Sequence, residues 1–291
     1  MPAGGTFIPY TIYLKYLKWL TVSLLAYVAA AFFVHIPWGT VLSSTFLPRL
    51  QVSREYLLAL MAVLGTTISP YLFIWQASQE VEEVRNNRGE RALNRAPAQA
   101  ERQLGRIRTD TYVGMAVSNL VAFFIILTTA ATLHAQGISN IETSTQAALA
   151  LKPLAGPFAF VLFVCGIVGT GLLAVPVLAG SAAYGLGEAC HWVVSLERKP
   201  KDAWRFYTTI TIATVLGLLL NVLKIDPIKA LFWAAVLNGV VAAPLMAVIM
   251  IMASSRKVMG KFALSSPLKM VGWVATAVMV CVCIGLFATW K

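Results

Sequence analysis

The sequence predicts an all-α polytopic membrane protein with about seven transmembrane helices. Of its 291 residues, 58% are hydrophobic and only 12% are charged, whereas charged residues supply about 25% of an ordinary soluble domain. The charged residues lie in short segments between long uncharged runs, and these runs are continuously apolar instead of alternating with a period of two. These observations exclude a soluble domain of ordinary composition and a disordered chain, and they favour helices over a barrel.

The uncharged runs are long enough to cross a bilayer, whose hydrocarbon core of about 30 Å needs about 20 helical residues. Three runs exceed one crossing, so their spans cover only part of each run. The fourth run, for example, carries Pro153, Gly156 and Pro157 before its span. The predicted spans, within one transmembrane domain over residues 1–291, are 14–35, 56–79, 111–134, 158–187, 206–223, 230–253 and 270–290.

The basic residues are distributed unevenly between the two sides of the membrane. The loop of residues 80–109 contains seven arginines, and the segments 198–205 and 256–269 contain four basic residues each. With Lys15 and Lys18, this side holds 17 of the 23 Lys and Arg residues. Because cytoplasmic loops carry the excess of basic residues, we expect a cytoplasmic N-terminus, a cytoplasmic 80–109 loop and an outer C-terminus.

The net charge of +11 does not indicate nucleic-acid binding, because the basic residues follow the membrane topology. Binding of an anionic lipid or a protein partner is an alternative for the arginine-rich loop. The simpler interpretation is a solvated loop that sets the topology. Its counter-charges would be Glu80, Glu82, Glu83, Glu90 and Glu101.

The second span contains a predicted break in its helix. Pro70 has no N–H to donate, and its ring crowds the carbonyl four residues back, which belongs to Thr66. Gly65, both threonines and Ser69 weaken the helix nearby. We therefore expect the helix to unwind in the middle of the membrane and to leave carbonyl oxygens free. Broken helices of this kind form ion sites in many secondary transporters. A plain proline kink satisfied by Thr and Ser hydroxyls is the alternative.

Three regions of the sequence, the first made of two neighbouring segments, resemble a known transporter family. The segments Gly65-Thr-Thr-Ile-Ser-Pro-Tyr71 and Trp75-Gln-Ala-Ser-Gln-Glu80 resemble the sixth helix of the natural resistance-associated macrophage protein (Nramp) family of divalent-metal transporters. The stretch from Gly169 to Tyr184 and the motif Leu237-Asn-Gly-Val-Val-Ala-Ala-Pro244 resemble a bacterial branch of that family. The resemblance implies a LeuT-like fold of two inverted five-helix repeats, in which the first and sixth helices are broken at the substrate site.

The resemblance also implies that this chain corresponds to the C-terminal part of that fold, from the fifth helix to the eleventh. The first four helices carry the family's Asp-Pro-Gly-Asn motif, and no Asp-Pro-Gly occurs here. Asp226-Pro227 lacks the glycine and falls in a predicted loop. We interpret the chain as a fragment, as a truncated reading frame, or as a half that needs a missing N-terminal partner.

The resemblance places the candidate metal ligands at the predicted break and on one later helix. The family uses a backbone oxygen at the position of Thr66, and it has Met and His where this chain has Ser69 and Tyr71. Without the Met thioether, a harder cation that stays partly hydrated is expected. The predicted metal ligands are Thr66, Ser69 and Asn238, and the predicted path for the substrate includes Thr67, Pro70, Tyr71 and Asn119. For Asn238 and Asn119 a hydrogen bond between helices is the alternative. For Tyr71 the alternative is simple packing.

These observations lead to a functional hypothesis. We expect transport of a divalent metal cation, with Mg²⁺ or Mn²⁺ favoured, by alternating access in a bacterial inner membrane. The alternatives are a transporter of the same fold for another solute, such as an amino acid, and a fragment that does not transport without its partner. No catalytic triad, phosphate loop or zinc motif occurs in the sequence. We therefore predict no enzyme activity and no cofactor besides the metal substrate.

Overall fold

The computed structural model describes residues 22–48, 50–87, 89–93, 95–138, 141, 143–196 and 198–289. The first predicted span, 14–35, lies partly outside these residues. Helices make up the secondary structure of the described ranges, and no strand occurs within them. The longer helices are α1 (Leu25–Phe33), α2 (Trp38–Phe46), α3 (Arg54–Thr67), α4 (Pro70–Asn86), α5 (Ala100–Thr132), α6 (Ala159–Ala189), α7 (Trp204–Val222), α8 (Pro227–Ser254) and α9 (Ser266–Ala288).

Local sequence signals explain where two of these helices begin. Ser53 caps α3, because its hydroxyl accepts a hydrogen bond from the Tyr56 amide at 3.3 Å. Asp226 caps α8, because its carboxylate accepts from the amides of Ile228 at 2.9 Å and Lys229 at 3.3 Å. Pro227 follows at the first helical position, where its missing N–H costs nothing. The Asp226-Pro227 pair is therefore a helix start.

Five helical stretches of the described chain are long and apolar enough to cross a membrane. In the most apolar part of Pro97–Gln136, only 6% of the residues are buried inside the protein. Such apolar surface is unfavourable in water and favourable in lipid. The chain is therefore a multi-pass membrane protein. Trp204–Leu220 is a shorter apolar helix, and the five long stretches are Arg54–Arg85, Pro97–Gln136, Gly156–Ala189, Pro227–Ser254 and Ser266–Ala288.

The chain divides into two compact units. The first unit comprises the chain up to Leu42 together with Ser78–Leu218, and the second comprises Ser43–Ala77 together with Leu219–Lys291. In the first unit, α1 packs on α5, and the Thr128 hydroxyl donates a hydrogen bond to the Tyr27 carbonyl at 3.1 Å. The core of this unit contains Tyr27, Ala30, Leu133, Ala150, Leu151 and Ala159.

In the second unit, α3, α8 and α9 pack against one another. Their shared core is apolar and contains two methionines that are almost fully buried, Met61 and Met279. The remaining core residues are Leu57, Ala62, Val236, Ala242, Ala243 and Leu286. This three-helix packing holds the end of α3 in place, and that end is the position of the predicted break.

Candidate functional site

The predicted interruption is present in the second unit. Helix α3 ends at Thr67 and α4 begins at Pro70, inside a stretch that is apolar enough to span the membrane. Between them, Ile68 leaves helical geometry with φ −113° and ψ 74°, while its amide still donates to the Leu64 carbonyl at 2.7 Å. The helix therefore breaks at Ile68 and Ser69, directly before the proline, as the missing N–H requires.

Ser69 bonds to the carbonyl oxygens that the break exposes. Its hydroxyl, on a residue only 1% exposed, lies 2.6 Å from the Gly65 carbonyl and 3.1 Å from the Thr66 carbonyl. The sequence predicted a free Thr66 carbonyl, but in the structure this carbonyl accepts a hydrogen bond. A side chain from the same turn replaces the donor that Pro70 lacks. A carbonyl oxygen has two lone pairs, so this contact leaves capacity for another partner.

The two threonines of the break also turn their hydroxyls toward their own helix. The Thr66 hydroxyl donates to the Ala62 carbonyl at 2.8 Å, and the Thr67 hydroxyl donates to the Val63 carbonyl at 2.8 Å. Hydroxyls bonded four residues back in this way bend helices slightly. Of the threonine oxygens, the Thr66 backbone carbonyl is therefore better placed as a cation ligand than either hydroxyl.

Two glycines bring α3 and α8 into backbone contact beside the break. A Cβ atom placed on Gly65 would overlap the Ala235 carbonyl oxygen and the Gly239 amide nitrogen. A Cβ atom on Gly239 would lie 2.7 Å from the Met61 carbonyl oxygen. Only residues without a side chain allow the two helices to approach this closely. The crossing therefore depends on Gly65 and Gly239.

This crossing places Asn238 on the segment of α8 that meets the break. Asn238 precedes Gly239 in the chain and is half-buried. Within the described residues its side chain makes no hydrogen bond that would account for a polar group in a membrane helix. The second unit thus contains all three predicted metal ligands, Thr66, Ser69 and Asn238, and it joins their two segments through the glycine contact.

The predicted path residues fall into two groups. Pro70 and Tyr71 form the first turn of α4 in the second unit, and Tyr71 is half-buried. Asn119 belongs to α5 in the first unit, where its amide nitrogen donates to the Met115 carbonyl of its own helix at 2.8 Å. That bond within one helix accounts for the Asn119 side chain without a ligand and without a second helix.

The donor set of the candidate site consists of neutral oxygens. The described residues contain no group of three or more His, Cys, Asp or Glu side chains that could hold a metal ion. The site offers one backbone carbonyl, one hydroxyl and one carboxamide. Oxygen ligands suit hard divalent cations, which take about six of them, often with several waters included. Three oxygens would hold such a cation only together with water or further ligands.

A second polar cluster, in the first unit, was missed by the sequence analysis. Glu82, interpreted as a solvated counter-charge, is only 8% exposed. Its Oε1 atom accepts hydrogen bonds from the Tyr184 hydroxyl at 2.7 Å and from the Leu196 amide at 3.1 Å. The interpretation of Glu82 as solvated was wrong, because α4 continues as a helix to Asn86 and this side chain is buried. The four-residue spacing of Ser78 and Glu82, both buried on one helix face, is a signal that could have revealed this.

Comparison with known proteins agrees with the geometry. Residues 3–289 match the family described as natural resistance-associated macrophage protein-like. The chain is similar to proteins named divalent metal cation transporter MntH. The relative from Deinococcus radiodurans is 24% identical over 81% of this chain and 50% of its own length. The relative from Caldanaerobacter subterraneus subsp. tengcongensis is 26% identical over 90% of this chain and 57% of its own length. The relative from Pectobacterium carotovorum is 29% identical over 54% of this chain and 36% of its own length.

The chain therefore spans about half the length of the curated relatives that it matches over most of its residues. The fold class predicted from the sequence is confirmed, because this family has a polytopic all-α membrane fold of the LeuT-like type. Since the match covers nearly every residue, the chain belongs to the Nramp family.

Proposed function

We propose that this chain is part of a membrane transporter of divalent metal cations that works by alternating access, with Mg²⁺ or Mn²⁺ as the favoured substrate. The observation that carries the proposal is the helix that ends at Thr67 and resumes at Pro70 within a membrane-spanning stretch. The proteins named divalent metal cation transporter, to which this chain is similar, support a metal over an organic solute.

In this proposal the cation is held by oxygens of the second unit. The Thr66 carbonyl, the Ser69 hydroxyl and the Asn238 amide oxygen are the ligands, and water or polypeptide outside this chain completes the coordination. Thr67, Pro70 and Tyr71, which belong to the same unit as these ligands, line the route. The absence of a thioether at position 69 favours a hard cation over a soft one.

The bacterial relatives support a place in the bacterial inner membrane. The excess of basic residues in 80–109, 198–205 and 256–269 supports a cytoplasmic N-terminus. The half-length match to the relatives supports a further N-terminal part that supplies the remaining ligands.

Two measurements on the purified 291-residue chain test the proposal. The electron paramagnetic resonance signal of free Mn²⁺ falls when the ion binds protein, so a titration reports binding, and Mg²⁺ is added as competitor. Radioactive Mn²⁺ uptake into vesicles containing the chain reports transport. Binding of Mn²⁺ supports a site at the break, whether or not uptake is observed. Binding without uptake indicates that a partner is needed for transport. An unchanged free Mn²⁺ signal together with no uptake would overturn the proposal.

We expect Ser69→Ala to weaken Mn²⁺ binding about two- to tenfold, the range that one net hydrogen bond or ligand of this kind contributes. The substitution removes a ligand and also the donor to the Gly65 and Thr66 carbonyls. Ser181→Ala is the matched control, since Ser181 is also 1% exposed and its hydroxyl donates four residues back, to the Val177 carbonyl at 2.6 Å. Equal losses in both variants would show that Ser69 has only a structural role.

We expect Pro70→Ala to lower both Mn²⁺ binding and uptake by roughly two- to tenfold. Alanine restores an N–H that can donate to the Thr66 carbonyl, so the helix straightens and this oxygen, which already accepts from the Ser69 hydroxyl, gains a second donor. Pro176→Ala is the control, because Pro176 lies inside α6, which continues through it as one helix. Unchanged binding in the Pro70 variant would mean that the break is not needed for the metal.

A further inference from the structure

A cleft in the first unit lies where two apolar helical stretches end. Its volume is about 790 Å³, within the range of small-ligand sites. The helical stretch Arg54–Arg85 ends at one wall of the cleft, and the stretch Gly156–Ala189 ends at another. Residues 191–195 and Arg198 form the remaining wall. We propose that this cleft binds the headgroup of phosphatidylethanolamine, with its phosphate on arginine and its ammonium on glutamate.

The ends of the helices and two tryptophans indicate the depth of the cleft in the membrane. Helices that span a bilayer end at the level of the lipid headgroups. Trp192 lines the cleft, and Trp204 lines the adjoining surface and is 61% exposed. Tryptophan concentrates at membrane interfaces. The Arg205 guanidinium lies 5.6 Å from the ring centre of Trp192 and 5.4 Å from that of Trp204. The cleft therefore lies at headgroup level.

The cleft is lined by charged side chains of both signs. Arg85 and Arg198 line the cleft and are exposed, and neither is in an ion pair with any residue that the structure describes. Two guanidinium groups make a phosphate-binding pair. Glu188 also lines the cleft and is exposed, while the carboxylate of Glu82 is already bonded to Tyr184 and Leu196. Both signs of charge in one cleft fit a zwitterion better than an anion.

The wall of the cleft is rigid. At the end of α6 the chain turns back at His191, whose φ of 57° lies in the left-handed region, which is costly for a residue other than glycine. The Trp192 amide donates to the Gly187 carbonyl at 2.7 Å and fixes this turn. A Cβ atom on Gly187 would overlap the Val194 side chain, so the glycine lets the wall close onto the helix. Glu82 then holds the wall through the Leu196 amide.

A primary ammonium group distinguishes phosphatidylethanolamine from phosphatidylcholine and from phosphatidylglycerol. Its three N–H donors can reach a carboxylate such as Glu188, whereas the trimethylammonium of phosphatidylcholine has no donor, and phosphatidylglycerol has no cation. The site therefore predicts selectivity for phosphatidylethanolamine over both. The two arginines contribute affinity for the phosphate that all three lipids share.

Native mass spectrometry of the purified chain with equal amounts of the three lipids tests the proposal. We expect phosphatidylethanolamine to be retained more than the other two. Arg85→Gln with Arg198→Gln should lower retention of all three lipids, by about fivefold for each arginine. Glu188→Gln should lower only the preference for phosphatidylethanolamine, by about two- to fivefold. The conservative pair Arg85→Lys and Arg198→Lys should keep most of the binding.

Matched controls are Arg256→Gln with Lys257→Gln, a basic pair of the second unit, and Glu101→Gln, an exposed glutamate of α5. We expect both controls to retain lipid as the unaltered chain does. Equal retention of the three lipids, or equal losses in the controls, would overturn the proposal. Displacement of the lipid by soluble phosphoethanolamine at matching concentration would also overturn it, because the ligand would then be a soluble molecule.

Discussion

Gly65→Ala is expected to destabilise the second unit by about 3 kcal/mol or more, at the upper end of the cost of overpacking a core. The added methyl group would overlap the Ala235 carbonyl oxygen and the Gly239 amide, which are backbone atoms and cannot rotate away. Helices α3 and α8 must therefore separate. Because the break begins just after Gly65, we also expect Mn²⁺ binding to be lost.

Thermal unfolding in detergent, followed by circular dichroism, measures the first effect, and the Mn²⁺ titration measures the second. Gly171→Ala in α6 is the control, since a Cβ atom there meets no other atom within 4 Å. Its expected effect is a stabilisation of about 0.5–1 kcal/mol, from the higher helix propensity of alanine. A Gly65 variant that unfolds at the same temperature as the unaltered chain would contradict the close crossing of α3 and α8.

Glu82→Ala is expected to cost about 1–3 kcal/mol of unfolding free energy in the first unit, the penalty for a buried donor that loses its acceptor, because the buried Tyr184 hydroxyl loses the carboxylate and the half-buried Leu196 amide keeps only its longer bond to Tyr184. Both donors bond to the Oε1 atom of Glu82. Tyr184 is almost fully buried against Phe206, with ring centres 4.9 Å apart, so it cannot easily turn to water.

A comparison of two substitutions separates hydrogen bonding from charge. Glu82→Gln keeps an oxygen at the Oε1 position, and we expect it to cost less than half as much as Glu82→Ala. Glu101→Ala, at an exposed position in the first turn of α5, should change the unfolding temperature little. If the glutamine and alanine variants unfold alike, the negative charge and not the oxygen stabilises the cluster.

The break in the helix was predictable because its cause is local. Pro70 lacks the N–H that the Thr66 carbonyl needs, and this is true in any tertiary context. The helical class of the fold was predictable for a similar reason. In lipid, the backbone N–H and C=O groups of a long uncharged run must form their hydrogen bonds within the run itself, which a helix allows. The family resemblance, which the match over residues 3–289 confirms, came from short motifs around the same positions.

The partners of individual side chains were not predictable. The favoured prediction was a free Thr66 carbonyl, and hydroxyl groups as its partners were only the alternative, but the Ser69 hydroxyl, three residues away, donates to it. Glu82 was predicted to be solvated, although its carboxylate bonds to Tyr184, more than one hundred residues further along the chain. The pattern of charged residues cannot show such a bond, because a glutamate at the end of a helix looks the same whether it faces water or a buried tyrosine.

The sequence by itself thus determined the helical membrane class of the fold and the position of the break, because composition and a missing backbone donor act within one segment. Only the tertiary structure decided that Gly65 meets Gly239, which brings the segment of Asn238 to the break. It also decided that Glu82 closes one wall of the cleft at the ends of two helices. Both facts depend on contacts between segments far apart in the chain, and close packing sets those contacts by shape and not by local propensity.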